Sequence, residues 1–183
     1  KLVLSNVTIY NAFLISVSRT ILNTIFQVFI TSMFAYALSR NNYILRKPIT
    51  IVVVLTMFFN AGLIPVYFLY RSLGLINNYL VYIVPAMFGG AFNFIVLRTY
   101  IRTLPESLVE SAKMDGAGDF RIFIQIILPV CKPVLATVAL FVAVYSWNSW
   151  FGSFLYCSSK QYLSTLQYEL MKLIAIANIA QSN

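Results

Sequence analysis

The sequence predicts an all-α polytopic membrane protein. Two features of composition and one of arrangement predict it. Of 183 residues, 60% are hydrophobic and only 10% charged, whereas soluble domains carry about a quarter charged residues. The mean hydropathy is +0.82. The apolar residues collect in four long, nearly uncharged stretches at 20–39, 48–70, 72–97 and 133–159. Each reaches the ~20 residues a helix needs to cross ~30 Å of hydrocarbon. None has the basic start and short apolar core of a signal peptide. The chain begins at Lys1 and stops at Asn183 in a polar stretch, so the reading is a single transmembrane domain, 1–183, taken from the interior of a longer protein.

The first stretch places Asn23 and Gln27 on one helical face, with Arg19 near its outer end. In the second, Asn60 interrupts the apolar run, and Pro65 either kinks the helix or marks its limit. The third holds Pro85, which has the same two readings, Asn93, and the small residues Gly89, Gly90 and Ala91, read as permitting close helix packing. The fourth carries Trp147, Asn148 and Trp150. The chain's two cysteines, Cys131 where the fourth span leaves the cytoplasm and Cys157 near its outer end, would fall roughly 39 Å apart on one helix at 1.5 Å per residue. A disulfide needs Cα atoms within about 7 Å, so both are read as packing residues. Residues 162–183 repeat apolar side chains at Leu163, Leu166, Leu170 and Leu173 with Glu169 and Lys172 between them, an amphipathic helix. It fits a surface helix on the bilayer or one that meets an extracytoplasmic protein.

Charge placement sets the expected orientation, because short cytoplasmic loops retain lysine and arginine. Eight of the 13 basic residues, Arg40, Arg46, Lys47, Arg98, Arg102, Lys113, Arg121 and Lys132, flank the first connection and the segment after the third stretch. Lys1, Arg19, Arg71, Lys160 and Lys172 fall on the other side. A net charge of +8 so distributed describes contact with anionic membrane lipid and not nucleic acid. The chain has no histidine, and no acid lies inside an apolar stretch, which removes the usual equipment of proton-coupled transport and intramembrane catalysis. No phosphate-binding G-x-x-x-x-G-K-[ST] loop is present, no resident cofactor or metal is expected, and energy must come from another chain or a gradient.

Four of the five acids, Glu106, Glu110, Asp115 and Asp119, lie in one segment, 103–129, interleaved with Lys113 and Arg121. Thr103 and Glu106 have capping-box spacing with Pro105 in the first turn, which predicts a helix over 104–115. Gly116 supplies a left-handed C-cap, and Asp119 caps a second helix carrying Phe120, Phe123, Ile124 and Ile127. Pro129 ends it. The product is a helix, glycine turn, helix unit with apolar ridges at Leu108, Ala112 and Met114, suited to docking in a groove of a soluble partner.

Within that unit, Glu110-Ser111-Ala112 is followed after three residues by Gly116, and after nine more by Ile126, Leu128 and Pro129. This spacing resembles the EAA loop of permease subunits of binding-protein-dependent ABC importers. Leu104-Pro105-Glu106-Ser107-Leu108, Met114-Asp115-Gly116-Ala117-Gly118 and Lys132-Pro133 around it are similar to the carbohydrate, maltose-permease type, branch. So are Ile64-Pro65, Leu73-Gly74-Leu75, Asn77, Asn78 and Trp147-Asn148. Ser111 replaces the usual alanine, and the family's first and final helices are absent from this stretch.

The resemblance implies an ABC importer permease fold with at least four transmembrane helices, multi-pass in a bacterial-type inner membrane, and no enzymatic activity of its own. It implies cytoplasmic ATPase subunits, a second permease subunit and an extracytoplasmic sugar-binding protein as partners. Glu110, Ser111, Ala112, Asp115, Gly116 and Ala117 become the ATPase-coupling positions by their match to the motif. Asn60, Asn93, Trp147 and Asn148 are candidates for the sugar path, because polar groups in hydrocarbon turn toward protein or a water-filled cavity. Interhelical hydrogen bonds and interfacial anchoring explain the same residues equally well. Two other classes stay open: a membrane scaffold that recruits a soluble partner, which would not need the motif spacing, and a gradient-driven secondary transporter, disfavoured by the lack of intramembrane acids.

Overall fold

The computed structural model describes residues 7–182, and all regular structure in them is helical. Lys1, assigned above to the outer side, lies outside the described residues. Helix α1 spans Val7–Ser39, so the first predicted span extends a further thirteen residues toward the N-terminus. Among the described residues it is the one helix long and apolar enough by itself to cross a membrane, and up to three spans result if two bent pairs each count as one.

The second predicted span is not one helix. Residues 48–70 divide between α2 (Arg46–Leu55) and α3 (Leu63–Ser72). Gly62 takes a φ of +82° immediately before α3, and Pro65 sits in its first turn, where the missing amide costs nothing. Pro65 therefore starts a helix, and Asn60 lies in the seven-residue break.

The third stretch also divides. Turns at Gly74 (φ +68°) and Asn77 (φ +56°) precede α4 (Leu80–Met87), and α5 follows at Ala91–Thr103. The break falls on Phe88-Gly89-Gly90, and Gly90 has a φ of +95°. The paired glycines thus form the break itself and not merely a packing surface. A Cβ at Gly90 would lie 2.7 Å from Nε2 of Gln27, the same atom that donates to the Gly89 carbonyl at 3.0 Å. Gln27 of α1 thereby satisfies one of the backbone groups that the break exposes.

The cytoplasm-assigned segment forms α6 (Ser107–Met114), then α7 (Asp119–Ile122), a π-helical turn at Phe123–Ile127 and α8 (Leu128–Val130). Pro129 has no amide to give Gln125, and the wider turn lies directly before it. At Cys131 the chain bends by 83° into α9 (Lys132–Asn148), so the helix ends one residue beyond Pro129. α10 (Phe151–Tyr156), a short 3₁₀ turn and α11 (Leu166–Ser182) follow. The fourth predicted span is therefore interrupted at Ser149-Trp150. Both cysteines are free and buried, as their reading as packing residues requires.

Contacts divide the chain into two compact units. The first contains the described part of Lys1–Thr24 with Ala61–Ala86 and Val142–Asn183. Its interior mixes apolar side chains with a polar cluster. Arg19 is 6% exposed, its Nη1 donates to the Ser149 carbonyl at 2.9 Å, and its guanidinium lies 4.7 Å from the Tyr82 ring centre. The Tyr82 hydroxyl donates to the Leu163 carbonyl and lies 2.9 Å from the Ser153 hydroxyl, which in turn accepts from the Thr165 amide. The second unit, Ile25–Asn60 with Met87–Phe141, is more apolar. Tyr36, Leu97, Ile101, Ile122, Phe123 and Ile127 are buried within it.

Candidate functional site

The proposed coupling positions fall on one short helix and its C-terminal turn. α6 begins at Ser107 and not at Leu104, for a local reason. A residue preceding proline is pushed out of helical geometry, and Leu104 before Pro105 is extended at ψ 140°. The Thr103 hydroxyl donates back to the Tyr100 carbonyl at 2.7 Å, so the capping box does not form. Glu106 instead accepts from the Asn41 side chain, which also accepts from Arg46 Nη1. This relay joins the connection between α1 and α2 to the start of α6.

The C-terminus of α6 is closed as the glycine predicts. The Gly116 amide donates to the Lys113 carbonyl at 3.0 Å and the Ala117 amide to the Ala112 carbonyl at 2.9 Å, the paired bonds of a Schellman motif. Gly116 has a φ of +76°, which a side chain with Cβ adopts only under strain. Asp115 occupies the last position before that turn. Asp119 makes no side-chain cap; it pairs with Lys113 at 3.2 Å and so braces the two arms of the turn. This pair is exposed, and such pairs contribute at most ~1 kcal/mol.

Of the other positions, Ala112 is buried beneath α6, whereas Glu110 and Ser111 are exposed. Glu110 lines a cleft of about 490 Å³ whose floor is Met33, Tyr36, Val109 and Phe123 and whose rim includes Arg40, Glu106, Lys113 and Asp119. The Phe123 ring packs against Tyr36 at 5.6 Å and Phe29 at 6.0 Å, fixing the π-helical turn on α1. An amphipathic cleft with a rim of both charges can accept a long polar side chain from a soluble partner. Sequence spacing does not single out Asn41 and Arg46 as parts of this site. The polar run Arg40-Asn41-Asn42 is a signal, but nothing in it says which helix it reaches.

The path candidates fall on separate elements. Asn60 is exposed in the break after α2, and Asn93 lies in the first turn of α5, where its Nδ2 would be 3.0 Å from a Cβ at Gly90. Trp147 packs edge-on against Phe13 with ring centres 6.3 Å apart, and Asn148 donates to the Val144 carbonyl of its own helix. Asn60 and Asn93 belong to the second unit, Trp147 and Asn148 to the first.

A chain of apolar helices, broken at several points and carrying one charged helical segment with an amphipathic cleft, defines an integral membrane protein. The chain belongs to the family of binding-protein-dependent transport system inner membrane components, whose family model matches residues 29–160. It is 41% identical over 156 residues to the polygalacturonan/rhamnogalacturonan transport system permease protein YtcP of Bacillus subtilis (strain 168), covering 85% of this chain and 54% of that protein. Protein LplC of the same organism is 35% identical over 183 residues, covering 100% of this chain and 61% of that one. Among solved structures, a bacterial ABC transporter involved in the import of the acidic polysaccharide alginate matches with a TM-score of 0.89 and 30% identity, over 99% of this chain and 66% of that chain. The helical fold thus matches that of an ABC importer permease, as the resemblance implies. The chain spans 54% and 61% of the lengths of the two Bacillus relatives.

Proposed function

We propose that the chain is part of the permease subunit of an ATP-driven carbohydrate importer, forms half of its translocation path, and couples to a cytoplasmic ATPase through segment 103–129. The carrying observation is the exposed, cleft-lining Glu110 on a helix closed by Gly116, at the motif spacing of the matched family. In this reading Glu110 meets a polar or cationic group of the ATPase, Ala112 seats α6 on its own subunit, and Ser111, Asp115, Gly116 and Ala117 shape the contact. ATP-driven closure of the ATPase pair then moves α6, and the brace to Asn41 and Arg46 passes that movement to the end of α1 and the start of α2.

The matched family supports the remaining parts of this reading. A second permease subunit completes the path, an extracytoplasmic binding protein delivers the sugar, and the full-length permease has at least four spanning segments, against the up to three that the described residues supply. Asn60, Asn93, Trp147 and Asn148 are proposed contacts for sugar hydroxyls. The relatives named for polygalacturonan and alginate support a carbohydrate of polysaccharide origin as the cargo. A scaffold that only recruits a soluble partner has no need of the path, and it predicts no vectorial uptake. The test is uptake of labelled oligosaccharide by cells carrying the full-length permease with its partner subunits. Glu110→Lys at normal membrane level should abolish ATP-dependent uptake; unchanged uptake contradicts the coupling assignment.

A further inference from the structure

Three arginines on α5 and α2 lie near one another with no ion-paired carboxylate among the described residues. Arg98 and Arg102 stand one helical turn apart on α5, and Arg46 opens α2, which packs on α5. Arg98 lies close enough to Arg102 and Arg46 for the like charges to repel. Among the described residues the ion pairs are Lys113–Asp119 and Lys172–Glu169, so none of the three takes an acid. The nearby carboxylate of Glu106 is engaged by Asn41. Arg98 is fixed by its Nε, which donates to the Leu38 carbonyl at 3.1 Å, near the end of α1. Arg102 and the neighbouring Lys47 are exposed.

Beside this cationic group α2 has no buried residue, and Ile51, Val52 and Leu55 are 46–59% exposed. Its ten residues span about 15 Å at 1.5 Å per residue, half of the ~30 Å hydrocarbon core and so the depth of one leaflet. A basic group at the head of a bare apolar helix one leaflet deep matches one ligand in both parts, a phosphate above and an acyl chain below.

We propose that Arg46, Arg98 and Arg102 form a binding site for the phosphate of an anionic phospholipid, whose acyl chain lies along the exposed face of α2. The site relieves a like-charge cluster that no ion pair among the described residues neutralises. Basic pockets between helices at the cytoplasmic interface hold anionic headgroups through the same charge complementarity. The lipid also touches the relay from Arg46 through Asn41 to Glu106, so its occupancy steadies the brace beneath α6. This site is independent of which sugar is carried.

The test uses the full-length permease purified with its partner subunits in nanodiscs of phosphatidylcholine, titrated with phosphatidylglycerol and read by native mass spectrometry and thermal shift. The double variant Arg46→Gln, Arg102→Gln leaves the Leu38 contact of Arg98 in place, and Arg102→Gln alone touches only an exposed side chain. Retained phosphatidylglycerol and its stabilising shift should weaken roughly fivefold per arginine removed, while Lys132→Gln, outside the cluster, changes neither. Equal phosphatidylglycerol binding by wild type and both variants overturns the proposal. So does an equal shift from inorganic phosphate, which would make the ligand a free anion. Loss of the ATPase from the Arg102→Gln variant in pure phosphatidylcholine also overturns it, since that arginine, which lies outside the relay to Glu106, would then serve a protein contact.

Discussion

Nη1 of Arg19 donates to the Ser149 carbonyl at 2.9 Å, and this one bond places a buried cation at the C-terminal end of α9. The last carbonyls of a helix carry partial negative charge, and a cation there is stabilised without a carboxylate. The face of Tyr82 adds a second source of negative potential. An arginine near the end of an apolar stretch is therefore held as a cap at the break before α10. Arg19→Met should lower the melting temperature of the purified permease by the equivalent of about 1–3 kcal/mol, through loss of a buried charged hydrogen bond. A variant as stable as wild type would show that the Ser149 bond contributes nothing.

Gly90 gives a prediction of a different kind, because strain and clash can be separated there. Any Cβ meets the positive φ, which costs about 1 kcal/mol, and it also displaces Nε2 of Gln27 from the Gly89 carbonyl. Gly90→Ala should destabilise by about 2 kcal/mol. In a double-mutant cycle with Gln27→Ala the two costs should sum to less than their separate values, since the clash is removed with the amide. Strict additivity, measured by thermal or chaotrope unfolding in detergent, would contradict the contact.

At Gly116 no atom lies within 4 Å of the place a Cβ would take, so substitution there meets conformational strain alone. Gly116→Ala should cost about 1 kcal/mol and Gly116→Asn less, because asparagine tolerates the left-handed region. Neither should unfold the spans. Circular dichroism and detergent melting check this, and a loss of several kcal/mol would mean that the turn is packed and not open.

Breaking the exposed Lys113–Asp119 brace should matter little to stability. Lys113→Ala is expected to shift the unfolding free energy by less than ~1 kcal/mol. Glu110→Lys, on the same exposed surface, should also stay within about 0.5 kcal/mol. Any large transport defect in the latter therefore reports a lost partner contact and not a misfolded chain.

Whether a feature is legible in the sequence depends on whether its cause is local. The C-cap at Gly116 is legible because a left-handed turn needs glycine and the apolar pattern places it at the end of α6. The expected capping box fails because Pro105 acts on Leu104, and that local effect outweighs the Thr103 to Glu106 spacing. Composition identifies the membrane class, yet it presents 48–70, 72–97 and 133–159 as unbroken spans. The structure divides them near Asn60, at Gly89-Gly90 and at Ser149-Trp150. Hydropathy sums over such breaks without seeing them, and the groups that make them tolerable are remote in sequence: Gln27 for Gly89, and Arg19 for Ser149. The link from Asn41 to Glu106 is illegible for the same reason, as it joins positions 65 residues apart.

The proposed docking of an ATPase on segment 103–129 is tested most directly by co-purification in detergent of the full-length permease with its candidate ATPase, comparing the native loop with the Glu110→Lys, Gly116→Trp double variant. The native chain should retain the ATPase, and the variant, equally folded by melting, should lose it. Equal recovery of the ATPase with both chains would contradict the docking.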